Sequence, residues 1–209
     1  MNLRRLHALG GVLFGLPFAA AYLWTIGGAA RSREVFLERA PSSLGATILV
    51  AILAIGALLA LATMRGPLPG LPQHASLQRL ALVPAIATAG AVVALAWWPL
   101  VRGDDAILAY HQLRATLPYA LPSTLGALGL AFVALHLELS LHAFVDAFGS
   151  VRRPETRRWL GFALAALAIA FFVLALNPLA FFVTGAPLFG SEPAPERLFT
   201  PEYSAEEAP

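Results

Sequence analysis

The chain has 209 residues, 58% of them hydrophobic and 12% charged, where a soluble domain carries about 25% charged residues. So little polar surface excludes an ordinary soluble globular domain and points to a polytopic membrane protein. Cysteine is absent, which excludes disulfides, thiolate metal sites, Cys-ligated iron–sulfur clusters and attached c-type haem. The formal charge of +2 rests on 14 basic side chains, all arginine and scattered over the connections, so no basic face for nucleic acid is present.

A bilayer core about 30 Å thick needs about 20 mostly apolar residues per spanning helix. The first stretch of that kind is 8–26, opened by Arg4 and Arg5. Its rival reading is a secretory signal, with Ala19-Ala20-Ala21 or Gly28-Ala29-Ala30 as a small-residue cleavage site, but the run is long for that. The second stretch is 44–64, after which Gly66-Pro67-Leu68-Pro69-Gly70-Leu71-Pro72 predicts a stiff non-helical turn. The third is 80–101. Residues 102–122 hold Asp104, Asp105, Tyr110, His111 and Arg114 among apolar residues, a pattern that fits a short helix lying on the membrane interface. The fourth stretch, 123–144, has polar interruptions, and the fifth is 160–184. No segment alternates as a barrel strand does. The expectation is therefore an all-α, five-helix transmembrane domain over 1–190, followed by a disordered Pro- and Glu-rich tail over 191–209.

Arginine placement sets the expected orientation. With the N-terminus inside, Arg4, Arg5, Arg65, Arg79, Arg152, Arg153, Arg157 and Arg158 lie on the cytoplasmic side. Arg31, Arg33, Arg39, Arg102, Arg114 and Arg197 lie opposite. The four arginines packed between the fourth and fifth spans are the stronger cue, and the expectation is N-terminus cytoplasmic, C-terminus outside. Trp24, Trp97, Trp98 and Trp159 all fall near span ends, and with Tyr22 they read as an interfacial aromatic belt. His7, beside Arg4 and Arg5, reads as a headgroup contact, while His74 and His111 read as solvated loop residues.

Ionisable groups inside a span are costly and are candidates for function. Only the fourth span has them: His136, Glu138, His142 and Asp146. Helical spacing stacks Glu138, His142 and Asp146 on one face and puts His136 and Ser140 on another. His136 is a candidate axial haem ligand, or else a buried neutral imidazole bonded to a carbonyl or to a Ser or Thr. The Glu138/His142/Asp146 stripe reads either as a proton relay serving a quinone or as an interhelical polar clamp, with Asp146 at the headgroups. No zinc spacing, phosphate loop or nucleophile–base pair is present.

Several segments carry a family likeness. Arg5-Leu6-His7-Ala8-Leu9, followed by Gly11-Val12, opens the chain; Tyr22-Leu23-Trp24-Thr25 closes the first span; Leu77-Gln78-Arg79 opens the third. The run from His136 through Phe148-Gly149 to Arg152-Arg153, and the end from Asn177 through Phe181-Phe182-Val183-Thr184-Gly185-Ala186 to Leu188-Phe189, complete the set. Together they resemble the cytochrome b558-type membrane anchor of succinate dehydrogenases and fumarate reductases. That family usually clamps two b haems with four histidines, one on each of the first four spans. Here only His136 matches: Tyr22 stands at the first-span position, and the second and third spans have no histidine.

The resemblance implies an anchor subunit of a complex II-like assembly in a bacterial-type inner membrane, with few or no haems. It implies docking of iron–sulfur and flavoprotein subunits on the cytoplasmic face, with Arg152, Arg153, Arg157 and Arg158 as contacts. It also implies a quinone site in which Glu138, His142 and Asp146 supply protons. A haem b is expected only if His136 finds a second ligand. The alternative is an accessory five-helix protein of a respiratory complex that kept the scaffold and lost redox function. A small transporter fits less well, because the second and third spans lack charges and no inverted repeat is present.

Overall fold

The structure is a computed structural model that describes residues 3–29, 31–64, 72–149 and 154–189. Arg152, Arg153, most of the Pro/Gly turn before residue 72 and the tail expected from 191 lie outside the described residues, as does the side chain of His74. Within that range the fold is all-helical, with seven helices and no strand. Five are long and apolar enough to cross a membrane: α1 (Leu3–Ala29), α3 (Ser43–Thr63), α4 (residues 72–101), α6 (Ala120–Phe148) and α7 (Pro154–Thr184). Two short ones lie between them, α2 (Arg33–Arg39) and α5 (Ala106–Thr116).

The ends follow local chemistry. Ser32, Ser42 and Asp105 each turn a side-chain oxygen onto a backbone N–H of the first helical turn, at Val35, Gly45 and Ile107, and so start α2, α3 and α5. α6 ends at Gly149, whose φ of +66° is the left-handed geometry glycine tolerates best. Pro154 opens α7, where its missing N–H is no loss. The helix expected over 102–122 is present as α5; α2 is an element the sequence reading missed, because seven residues are too few for a periodicity to register.

α1 and α6 are the hub. α1 packs on α3 and α6, and α6 packs on α1, α4 and α7. The α1–α3 crossing brings two backbones together: a Cβ on Gly10 would stand 2.7 Å from the Ala60 nitrogen, and one on Gly56 2.6 Å from the Phe14 nitrogen. Gly10 and Gly56 thus face each other across the crossing, where the lack of a side chain on both lets the two backbones approach. On the next face of α1, Gly11 lies against Ser140 of α6 and Gly15 against Leu137.

Two helices widen into π turns, α1 at Tyr22–Ile26 and α4 at Val93–Trp97. In α4 the wide turn leads into Pro99, which has no N–H to give the Leu95 carbonyl one turn earlier. The two turns meet: Trp97 Nε1 donates to Thr25 Oγ1 at 3.2 Å, and Thr25 donates in turn to the Ala21 carbonyl at 2.7 Å. At the far end of α7, Asn177 holds the following segment through both amide atoms, donating to the Phe189 carbonyl at 3.1 Å and accepting from its N–H at 3.0 Å.

Candidate functional site

His136 is fully buried, between α6 and α1. Its Nε2 lies 3.2 Å from Ser140 Oγ, one turn along its own helix, and the Phe14 ring meets its edge at 5.7 Å. The Ser or Thr partner considered from sequence is thus present, on the same helix rather than across the bundle. Nδ1 has no hydrogen-bond partner among the described residues. A haem needs a porphyrin-wide slot beside the ligating nitrogen. Here Gly11 is packed onto Ser140 so closely that even a Cβ would collide with it, and Gly15 is within van der Waals reach of Leu137. The residues around His136 do not fit a porphyrin in this packing.

An aromatic column continues from that point. Phe14 stacks on Phe18 at 6.4 Å, and Phe18 meets Trp97 at 5.9 Å and Tyr22 at 5.8 Å. Tyr22 then meets Phe171 of α7 at 6.5 Å and donates its hydroxyl to the Ala175 carbonyl at 3.2 Å. This corrects the belt reading for two residues: Tyr22 and Trp97 are core side chains, with their polar atoms bonded inside the bundle, whereas Trp24 and Trp159 are exposed as expected.

His7 is a second correction. It is 2% exposed rather than at the surface. Thr63 Oγ1 donates to the carbonyls of Leu59 and Ala60, which leaves it to accept from His7 Nδ1–H at 2.8 Å. The signal was in the sequence: residues 7, 11, 14 and 18 share one helical face, and that face carries Gly11, Phe14 and Phe18. A histidine in line with such residues is buried with them, whatever arginines precede it.

The other polar stripe divides. Glu138 and His142 are one turn apart with Oε1 and Nε2 separated by 3.9 Å, and their side chains are 29% and 41% exposed. The backbone of Gly161 lets α7 approach, so that a Cβ there would lie 3.3 Å from His142 Cε1. Glu138 stands ten residues before the helix end at Phe148, roughly 15 Å along the axis. This pair is an accessible acid and imidazole deep along an apolar span. Asp146 is set apart from it. Its carboxylate accepts from Arg157 at 2.6 Å and lies 3.8 Å from Arg4, tying α1, α6 and α7 together at one end. The sequence reading of a clamp covered the whole stripe and set Asp146 at the headgroups; here Asp146 by itself bridges the helices. Arg5 reinforces the same end, donating Nε to the Ala147 carbonyl at 3.2 Å and resting over Phe148. Asp146→Asn is expected to loosen that end by about 1 kcal/mol, since Arg157 is largely exposed and water screens much of the attraction. Denaturant unfolding in micelles measures it; an unchanged midpoint would mean the clamp carries no stability.

Of the four arginines read as docking contacts, Arg157 is thus paired and Arg158 lies exposed over the Phe162 ring at 5.7 Å. Among the described residues no three His, Asp or Glu side chains converge on a point fit for a metal ion. Comparison with protein-family models, curated proteins and solved structures gives no match.

Proposed function

We propose that this chain is the membrane anchor of a succinate:quinone oxidoreductase-type assembly, multi-pass in a bacterial-type inner membrane with its N-terminus cytoplasmic. In this reading the arginine-bearing end, with Arg5, Arg157 and Arg158 and with Arg152 and Arg153 in the connecting segment, docks the iron–sulfur and flavoprotein subunits. Electrons pass from the last iron–sulfur cluster to a quinone held near α6 and α7. Reduction to the quinol takes two electrons and two protons, and Glu138 and His142 pass the protons in. The observation that carries the reading is the Glu138–His142 pair, a partly exposed acid and imidazole 3.9 Å apart within an apolar span, below an end rich in arginine. Ionisable groups within a membrane span are costly to desolvate, and a protonatable substrate beside this pair supplies a reason for keeping them there.

Asp146 drops out of the relay in this proposal, because its two carboxylate oxygens already face Arg157 and Arg4 at the helix ends, away from the Glu138–His142 pair. His136 drops out as a haem ligand on the packing of Gly11, Ser140 and Phe14 around it. The same packing is equally compatible with the second reading, an accessory protein of a respiratory complex with no redox part.

Purification of the chain with its native partners separates the two. Bound flavin with succinate-dependent quinone reduction, and no b-type bands in a reduced-minus-oxidised spectrum, is the expected result. Glu138→Gln is expected to lower quinone turnover about 100-fold, within the range for losing a positioned proton donor, with flavin content unchanged. Copurification without flavin or an iron–sulfur protein would replace this reading with the accessory one, and unchanged turnover in Glu138→Gln would remove the relay.

A further inference from the structure

A half-open groove of about 640 Å³ lies between α4 and α6, within the size range of small-molecule sites. Its walls are Ala87, Thr88 and Ala91 on α4 and Leu125, Gly126 and Gly129 on α6. Side chains from three other helices form the floor: Tyr22 from α1, Leu113 from α5 and Leu179 from α7. The groove exists because small residues face it where the two helices run side by side. Thr88 packs against Gly129 without room for a Cβ, which brings the two helices together at that point.

The chemistry of the lining restricts the occupant. The surface is almost wholly carbon and carries three hydroxyls, two of them already used: Tyr22 donates to the Ala175 carbonyl and Thr88 to the Pro84 carbonyl at 2.9 Å, which leaves Thr116 of α5. A quinone ring buried here would find at most the Thr116 hydroxyl and would leave at least one of its two carbonyl oxygens without a donor, a penalty in apolar surroundings. A hydrocarbon chain needs no donor and regains the dispersion contacts that an unfilled groove forfeits. The groove opens sideways past Leu121, Leu125 and Leu128 of α6, all more than half exposed, on a span that a bilayer would surround.

We propose that the groove between α4 and α6 binds one acyl chain of a membrane phospholipid as a retained, structural ligand. The proposal rests on the membrane reading of the chain and not on its partners or redox role. The chain touches five helices at once, so it is held more firmly than lipid lying on the exposed leucines outside.

The test is native mass spectrometry of the full chain, released from vesicles of phosphatidylglycerol doped with menaquinone into mild detergent. One phospholipid per chain is expected to persist after most other lipid has been stripped. Ala91→Phe and, independently, Gly126→Leu are expected to reduce that retention about tenfold, equivalent to ~1.4 kcal/mol. A Cβ at Gly126 has only ordinary contacts with Leu179, and the position faces the groove, so the second variant is the milder of the two; thermal unfolding of each variant checks that it is folded. Leu58→Phe, on an exposed position of α3 outside the groove, should leave retention unchanged. Retained menaquinone in place of phospholipid, equal retention in all variants, or equal loss in Leu58→Phe would each overturn the proposal. A chain that fails to enter vesicles would overturn the membrane reading beneath it.

Discussion

Gly56→Val is expected to destabilise the bundle by roughly 3 kcal/mol, at the upper end of what overpacking a well-filled contact costs. The atom struck first is a backbone nitrogen, that of Phe14, 2.6 Å from where a Cβ would sit, with the Leu13 carbonyl carbon at 2.9 Å. A backbone inside a helix cannot swing aside as a flexible side chain does, so α1 has to move off α3. That movement also pulls His7 from Thr63, because their 2.8 Å bond crosses the same interface. Unfolding midpoints in detergent against increasing sodium dodecyl sulfate measure the loss. Gly90→Ala is the matched control: nothing lies within 4 Å of its Cβ, so it should not destabilise. Equal effects in the two variants would mean that the helices do not cross at Gly10 and Gly56.

Phe18→Ala is expected to cost about 3–5 kcal/mol, the range for emptying a buried aromatic site. Phe18 is 0% exposed and stands between Phe14, Tyr22 and Trp97, so its removal leaves three rings without a shared neighbour. Those rings come from two helices, and neither helix closes the gap without disturbing the Trp97–Thr25 bond. The same unfolding assay gives the energy, and Trp97 fluorescence should shift red as water reaches the indole. A loss under about 1 kcal/mol would show that the site collapses freely, contrary to the packing limits known for cores.

How far the sequence carried the reading depends on which property is asked for. The five long helices were legible because a run of twenty apolar residues has few alternatives; expected and observed spans agree to within a few residues at most ends. Facing was not legible. In a span that is apolar all round, hydrophobicity does not mark the side turned inward, so Tyr22 and Trp97 looked like interfacial aromatics by position alone. What marks the inner face is size and spacing, as with Gly11, Phe14 and Phe18 in line with His7. The fourth span was the easiest to read, since its polar residues stand out against leucine. Even there the three-residue stripe split, because the sequence does not show that Arg157 and Arg4 reach back to Asp146 across two helix ends.

The π turns at Tyr22–Ile26 and Val93–Trp97 have a consequence for the way this chain compares with others. A π turn holds one residue more than the α turn it replaces, so everything beyond it is rotated by about 100° relative to an uninterrupted helix. In α4 that rotation aims Trp97 at Thr25 and leaves Trp98 half exposed. A relative whose fourth helix runs without the wide turn would match this one only with a one-residue gap inside an apolar span, where insertions are usually forbidden. Deleting Ala94 in this chain should act as that gap does, straightening the helix and turning a different side chain toward the aromatic column.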